Sequence, residues 1–224
     1  MKKLALIPVV AILFFVTGCS KSGSSPSPTP TNTDYQPNTT NSTWKYTDSS
    51  SKSTSTLTST GNTKVIGGVT YFIFNSTSDS SGTSQTYISK QNGFYDNIGF
   101  IYDNGASANI IFRYLNDQLA IGDKWTTNGG SISENNINIP ITIKGTIKEK
   151  GISKKVSGTT FTDVIHTQVV MYYDYTSIDP NVGLMNFATY DVYAAKGVGI
   201  IRIEANIASA GFYAVNNLTS YSIK

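Results

Sequence analysis

Residues Thr160–Tyr175, TFTDVIHTQVVMYYDY, carry the pattern that decides the fold class. One set of alternating positions is mostly apolar and consists of Ile165, Thr167, Val169, Met171, Tyr173 and Tyr175. The other set is mixed and consists of Val164, His166, Gln168, Val170, Tyr172 and Asp174. Because successive side chains of a strand point to opposite faces, the pattern predicts a long strand with a core face and a wet face. In an alternative interpretation the strand lines a groove, with Tyr172, Tyr173 and Tyr175 as candidate binding residues.

Similar runs of β-branched and aromatic residues recur along the chain. They lie at 54–59, 69–76, 85–90, 109–114, 138–149, 187–196, 198–205 and 218–223. Pairs that favour turns punctuate them, namely Gly67-Gly68, Asn92-Gly93, Asn104-Gly105 and Gly129-Gly130. The best helical candidate is Ile178–Met185, and Pro180 and Gly183 argue against it. The sequence therefore predicts an all-β domain of about nine to eleven antiparallel strands, either a curved open barrel or a β-sandwich.

The composition excludes several kinds of site. The chain has 224 residues, of which 14% are charged, with one Cys and one His. One Cys excludes an internal disulfide framework or a thiolate metal cluster, and one His excludes a multi-histidine zinc site. The formal charge of +3 includes Lys2 and Lys3, which lie in a segment that we expect to be removed. With the remaining lysines scattered along the sequence, we expect no nucleic-acid partner.

The first nineteen residues predict export. Met1-Lys2-Lys3 is basic, and the apolar run Leu4–Val16 is too short to span a bilayer core of about 30 Å. The next residues, Val16-Thr17-Gly18-Cys19, resemble the lipobox of bacterial lipoproteins. The resemblance implies cleavage after Gly18 and lipidation of Cys19, with palmitate among the acyl chains. An ordinary signal peptide with an incidental Cys is the alternative.

The residues after Cys19 bear on location and on domain organisation. Ser20-Lys21-Ser22-Gly23 places no Asp beside Cys19, which in lipoproteins favours the outer membrane, and we expect the periplasmic side. The stretch that follows is rich in Ser and Thr, with prolines at 26, 28, 30 and 37. Such a composition cannot bury enough apolar surface to offset ordering entropy. The predicted division is a signal peptide at 1–18, a lipidated Cys with a disordered tether at 19–42, and one β domain at 43–224.

A search for chemical motifs identifies no catalytic, cofactor-binding or metal-binding residues. His166 lies in the middle of a strand without a nucleophile elbow and is expected to be a half-exposed strand residue. Turn contexts hold most of the acidic residues considered, namely Asp96, Asp103, Asp117, Asp123 and Asp179. Asp103-Asn104-Gly105 is interpreted as a hairpin turn rather than a calcium loop. Lys196-Gly197-Val198-Gly199 has the wrong spacing for a dinucleotide loop, so it too is interpreted as a turn.

Three segments resemble a group of Bacteroidota lipoproteins and, more loosely, the TapB-like domain family. They are Leu119–Trp125 (LAIGDKW), Val156–Ile165 (VSGTTFTDVI) and Tyr193–Ile201 (YAAKGVGII). The resemblance implies a curved antiparallel sheet and implies no activity.

These observations lead us to expect a non-catalytic, lipid-anchored envelope protein whose β domain binds a partner. Two alternatives stay open: a periplasmic carrier of a hydrophobic ligand, and a carbohydrate-binding module with an aromatic platform. The expected partners are the membrane, through acylated Cys19, and a protein, glycan or lipid ligand. No cofactor is expected.

Overall fold

The computed structural model describes residues 33–79, 82–103, 106–134, 137–208 and 211–224. At residues 100–103, 106, 107 and 134 it describes the backbone and not the side chain. Twelve strands make up most of this part of the chain. They are β1 (Thr43–Asp48), β2 (Thr54–Ile66), β3 (Val69–Ser78), β4 (Gly82–Gln91), β5 (Phe94–Asp103), β6 (Ala106–Asn116), β7 (Lys124–Glu134), β8 (Ile137–Val156), β9 (Thr159–Asp174), β10 (Leu184–Ala195), β11 (Gly199–Ile207) and β12 (Phe212–Ser222). Within the described ranges, no helix is long and apolar enough to cross a bilayer.

The strands form one antiparallel sheet that curves into a nearly closed barrel. Its order is β6-β5-β4-β3-β2-β1-β12-β11-β10-β9-β8-β7, so sequence neighbours pair throughout except for β6 and β7, and β1 pairs with β12. The ladder is open between β6 and β7. These two strands nevertheless lie close together, since a Cβ added to Gly130 of β7 would come within 3.3 Å of the Asn109 carbonyl oxygen in β6. The predicted curved open barrel is confirmed.

The strand count is higher than the sequence predicts. The runs found by pattern lack β1, β5 and β7, and the last two each contain residues that normally mark turns. Gly129 and Gly130, expected in a turn, lie inside β7 at a register shift beside Asn128. The expectation of a turn is wrong there: the glycines make room for β8, since a Cβ on Gly129 would lie 2.7 Å from the Ile143 Cδ1 atom.

Other predicted turns are confirmed. Asn92 and Gly93 join β4 to β5 with φ angles of 50° and 79°, and Gly67-Gly68 joins β2 to β3 in the same way. These positive φ angles match the right-handed twist of the flanking strands. Lys196-Gly197 connects β10 to β11, whereas Asn104-Gly105 lies outside the described residues.

Strand β9 confirms the alternation read from its sequence. Ile165, Thr167, Val169 and Met171 are fully buried, and the positions between them from His166 onward are half-buried. Around this strand the barrel interior is filled by three clusters of apolar side chains. Their largest fully buried members include Trp44 and Phe74 in the first cluster, Ile141 and Met171 in the second, and Tyr95 and Tyr114 in the third.

The folded domain begins earlier than Thr43, the boundary expected from composition. Tyr35, Gln36 and Ser42 are buried, and the Tyr35 N–H donates a hydrogen bond to the Tyr95 hydroxyl at 3.1 Å. The carbonyl of Asp34 accepts a hydrogen bond from the Gly197 N–H at 2.8 Å. Backbone hydrogen bonds thus hold a segment whose Ser, Thr and Pro content predicted a tether. The signal peptide, Cys19 and the rest of the predicted tether lie outside the described residues.

The two ends of the barrel are distinguished by the strand connections that lie there. We call proximal the end where the described chain begins, which also holds the β2–β3, β4–β5, β6–β7, β8–β9 and β10–β11 connections. We call distal the end that holds the β1–β2, β3–β4, β5–β6, β7–β8, β9–β10 and β11–β12 connections. Since neighbouring strands are antiparallel, alternate connections must fall at opposite ends.

Candidate functional site

The three candidate tyrosines, two in β9 and Tyr175 just after it, do not form one surface. Tyr173 is 6% exposed and stacks inside the barrel on Phe187, with ring centroids 4.1 Å apart. Tyr172 points to the opposite face, where the Lys144 Nζ atom lies 5.1 Å from its ring centroid. Tyr175 is partly buried against the second core cluster. A flat aromatic platform of the kind that binds sugars is therefore not assembled from these rings.

His166 lies on the outer face and is held by two carboxylates. Its Nδ1 atom is 2.9 Å from a Glu149 oxygen, and its Nε2 atom is 2.8 Å from an Asp191 oxygen. The ring stacks on Tyr193 with centroids 4.2 Å apart, and the Lys154 Nζ atom lies 3.9 Å from the centroid of Tyr193. A nucleophilic site needs a hydroxyl or thiol at the base, whereas both imidazole nitrogens here face carboxylates. This arrangement fastens β8, β9 and β10 together.

The polar network continues across β11 and β12. Arg202 donates from Nε to Glu204 at 2.7 Å and from a terminal nitrogen to Asn217 at 2.9 Å. The Tyr213 hydroxyl donates to the second Glu204 oxygen at 2.8 Å. Burial opposes ionisation of Glu204, but the hydrogen bonds from Arg202 and Tyr213 outweigh it and lower the pKa of this carboxyl. Burial and the surrounding carboxylates raise the pKa of Tyr193 to about 12, so its hydroxyl stays neutral.

The acidic residues serve structural roles in several places. Asp96, expected in a turn, is instead a buried residue of β5 whose two oxygens accept hydrogen bonds from Arg113 at 2.7 and 2.8 Å. Asp123 and Asp179 do lie in turns, where each accepts a backbone N–H at 2.9 Å. The described residues contain no group of three or more His, Cys, Asp or Glu that could hold a metal ion.

The most prominent exposed feature is apolar and lies at the distal end. Ten large apolar side chains are exposed among the described residues, and seven of them are at this end. We call these seven the distal rim: Ile137, Ile178, Val182, Leu184, Met185, Phe212 and Tyr213. Their exposed fractions run from 36% at Leu184 to 54% at Tyr213. Contiguous exposed apolar surface marks interaction sites more often than isolated apolar residues do.

Local hydrogen bonds hold the largest connection of the rim, residues 175–183, in place. The carbonyl of Tyr175 accepts the N–H groups of Ile178 and Asp179 at 2.8 and 2.7 Å. The Val182 N–H bonds to the Asp179 carbonyl at 3.1 Å, and Gly183 has the positive φ of 65° that brings the chain back into β10. The loop thus satisfies its backbone internally while its apolar side chains face outward. Because the loop is already ordered, binding through its exposed apolar side chains costs little backbone conformational entropy.

Acidic residues accompany the rim. Among the described side chains, the distal ends and connections of the strands carry four carboxylates and one lysine: Asp48, Asp79, Asp174, Asp179 and Lys52. The distal end is therefore an apolar surface in a negative field.

Two clefts open on the described surface. One, of about 240 Å³, lies at the proximal end and includes Gln36, Phe74 and Lys90 in its lining. The Gln36 side chain is 6% exposed, and its Nε2 atom has no hydrogen-bond partner. The other, of about 300 Å³, lies beside β6 and is lined largely by apolar side chains, among them Ile98 and Ile111. Both are at or below the lower limit of the volumes usual for small-ligand sites, about 300–1,000 Å³.

Comparisons with known proteins support the fold. No protein-family model and no curated protein matches the chain. A protein of Bacteroides fragilis, assigned as exported and as having a YmcC-like fold, aligns at 10% identity over 84% of this chain and 98% of its own, with a TM-score of 0.50. A protein of Parabacteroides distasonis, assigned as a lipoprotein, aligns at 12% identity over 85% of this chain and 99% of its own, with a TM-score of 0.51. At these identities the similarity establishes a shared fold.

Sequence reasoning did not find the distal rim. Its residues come from separate connections that only the barrel brings to one end. One signal was present: Ile178, Val182, Leu184 and Met185 stand among Pro, Asn and Gly, where a loop would ordinarily be polar.

Proposed function

We propose that the protein is a non-catalytic lipoprotein, anchored through Cys19 in the outer membrane on the periplasmic side, and that its distal rim binds another envelope protein. The observation that carries the proposal is the concentration of exposed apolar side chains at the end opposite Thr33. The export signal and the lipobox-like residues support the anchor. The assignments of the two structural neighbours, one as exported and one as a lipoprotein, agree with it.

The geometry of the chain favours a partner away from the membrane. The fourteen residues that follow Cys19, up to Thr33, can span at most about 50 Å, and they join the barrel at its proximal end. The rim is on the other side of the barrel and therefore faces away from the anchor. A protein bound there could lie in the periplasm without competing with the lipid surface.

The chemistry of the rim favours a particular kind of surface on the partner. Ile178, Val182, Met185 and Phe212 would pack on apolar side chains, which is the usual centre of a protein interface. The surrounding carboxylates would attract basic residues at the margin of that surface and repel acidic ones. A glycan or an acyl chain is less well matched to the described surface, because Tyr172, Tyr173 and Tyr175 form no platform there and the two clefts described above are only about 240 and 300 Å³.

Site-specific photo-crosslinking in intact cells tests the proposal. A photoreactive amino acid replaces Met185 in the rim or, as the control, Val65, which is 66% exposed near the proximal end. We expect a discrete protein adduct from position 185 and none of that mass from position 65. The same adduct should weaken when Phe212→Ser or Asp179→Lys is added, because each removes part of the apolar or charge complementarity.

Adducts of the same mass and yield at positions 185 and 65 would contradict this function. So would an adduct from position 185 whose yield is unchanged by both rim substitutions. Circular dichroism of each purified variant confirms that the barrel remains folded. A variant that unfolds is replaced by Val182→Ser, which lies in an exposed loop and touches no core cluster.

A further inference from the structure

Charge is separated along the barrel axis. The proximal end, with the adjoining parts of its strands, holds ten lysines: Lys45, Lys64, Lys90, Lys124, Lys148, Lys150, Lys154, Lys155, Lys196 and Lys224. Six carboxylates accompany them there: Asp34, Asp96, Asp117, Asp123, Glu149 and Asp163. The described side chains of the distal end have the opposite balance, four carboxylates against one lysine. The sequence scatters these lysines over 180 positions, and the up-and-down topology gathers them.

Several proximal lysines already have partners. Lys90 bridges Asp34 at 2.5 Å and Asp117 at 2.9 Å, and Lys150 donates to the carbonyls of Asp117 and Leu119. The remaining cations include five that are exposed to solvent: Lys124, Lys148, Lys155, Lys196 and Lys224. Of the six proximal carboxylates, Asp34 and Asp117 are engaged by Lys90 and Asp96 by Arg113, so the exposed lysines dominate the field at this end.

The β8–β9 hairpin extends the basic surface. Its ladder continues from the Ile152–Val164 pair to the Val156–Thr159 pair, beyond Ala195, the last residue of β10. Three register shifts between Ile147 and Lys154 bend β8 in this region, and Phe161 packs its ring on Tyr221 of β12. The hairpin therefore lies across the proximal end and is packed against the barrel there.

We propose that the proximal end is a contact surface for the phosphate-bearing headgroups of anionic lipids in the membrane to which Cys19 attaches the chain. The inference rests on the proposed anchor, because Thr33, where the described chain begins, leads to Cys19 from this same end. Lysines near an anionic bilayer each raise the affinity about fivefold, and the attraction extends over roughly a Debye length of 8–10 Å. The barrel axis is then roughly perpendicular to the membrane plane, and the distal rim faces the periplasm.

Vesicle binding tests the surface separately from the anchor. The chain that begins at residue 19, with Cys19→Ser so that no acyl chain can be attached, is mixed with vesicles of phosphatidylcholine with or without phosphatidylglycerol. We expect binding to the anionic vesicles at low salt, little binding to the neutral ones, and loss of the difference at high salt. Sedimentation of the vesicles measures the bound fraction.

Matched variants locate the surface. Lys155→Gln with Lys196→Gln removes two proximal charges, and Lys52→Gln with Lys144→Gln removes the same charge elsewhere. We expect the proximal pair to weaken binding about 20- to 30-fold and the control pair to leave it within about twofold. Equal losses from the two pairs, no preference for phosphatidylglycerol, or equally tight binding to duplex DNA at the same salt would each overturn the proposal.

Orientation is tested on the acylated protein in the same anionic vesicles. Acylation consumes the thiol of Cys19, the one Cys in the sequence, so a new Cys at Thr160 or at Asn181 is the unique labelling site. A spin label at residue 160 should be relaxed by a paramagnetic headgroup reagent, and a label at residue 181 should not. The reverse result would overturn the orientation. Absence of acyl mass on Cys19 would instead contradict the proposed anchor and leave the vesicle result intact.

Discussion

The indole N–H of Trp44 donates a hydrogen bond to the carbonyl oxygen of Val198 at 2.6 Å, joining residues 154 positions apart in the sequence. Trp44 lies in β1 and Val198 in the β10–β11 connection, and both are buried in the first core cluster. The bond closes the proximal end of the barrel across β12. Trp44 therefore contributes both a large apolar contact and a hydrogen bond to a buried carbonyl group.

Replacing Trp44 should reveal both contributions. Trp44→Phe keeps a ring in the cluster but leaves the buried Val198 carbonyl without its partner, so we expect a loss of about 1–3 kcal/mol in the free energy of unfolding. Trp44→Ala also creates a cavity and should cost about 3–5 kcal/mol. Urea unfolding monitored by circular dichroism measures both. If Trp44→Phe matched the wild type, the hydrogen bond would not contribute to stability.

Tyr95 tests whether residues 34–42 belong to the fold. Its hydroxyl accepts the Tyr35 N–H at 3.1 Å and donates to Asp117 at 2.9 Å. Tyr95→Phe removes both bonds, and we expect a loss of about 1–3 kcal/mol. Tyr87→Phe is the matched control, because the Tyr87 hydroxyl bonds only to exposed Gln85 in the described structure and should cost less than about 0.5 kcal/mol. Equal effects in urea unfolding would mean that the N-terminal segment contributes nothing through Tyr95.

The carboxylate of Asp48 should make stability depend on pH in the acid range. One of its oxygens accepts the backbone N–H groups of Ser51 and Ser50 and the hydroxyl of Ser51, which together lower its pKa below the usual 3.8. A carboxyl with a lower pKa in the folded state stabilises that state above its unfolded pKa, and this contribution disappears as the pH falls through the folded value.

The variant Asp48→Asn isolates this contribution. The amide keeps an oxygen acceptor and cannot titrate, so the difference in unfolding free energy between wild type and variant should shrink as the pH drops from neutrality to well below 3.8. Urea titrations at a series of pH values measure that difference. A difference that is independent of pH would contradict the role assigned to the carboxylate.

Cys19 should decide where the protein is found. The variant Cys19→Ala cannot carry acyl chains, so we expect it to move from the membrane fraction to the soluble periplasmic fraction, since two or three acyl chains give stable anchoring. Immunoblotting of fractions washed with high salt, which removes electrostatic contacts of the proximal end, measures the shift. Retention of the variant in washed membranes would contradict the anchor.

The fold class could be predicted from the sequence, whereas the distal rim and the basic proximal end could not. The alternation in β9 identified its buried face, and Asn92-Gly93 identified a hairpin, because both signals are local. The boundary at Thr43 was wrong, because a polar segment can be held by backbone hydrogen bonds that composition does not record. The same limitation hid the distal rim and the basic proximal end, since each is assembled from connections far apart in sequence.

Pairing of β1 with β12 joins Thr43 to Ser222, so the first and last strands are neighbours. As the chain is synthesised its N-terminus emerges first, so β1 exposes an unpaired edge until β12 has followed it. Closure therefore requires the slowest kind of contact, one between residues nearly the whole chain apart. Because β6 and β7 do not pair, strands β1–β6 and β7–β12 are two separate sheets until that moment, each with two unpaired edges. The outcome of folding then depends on whether β1 and β12 pair with each other or with the edges of a neighbouring chain.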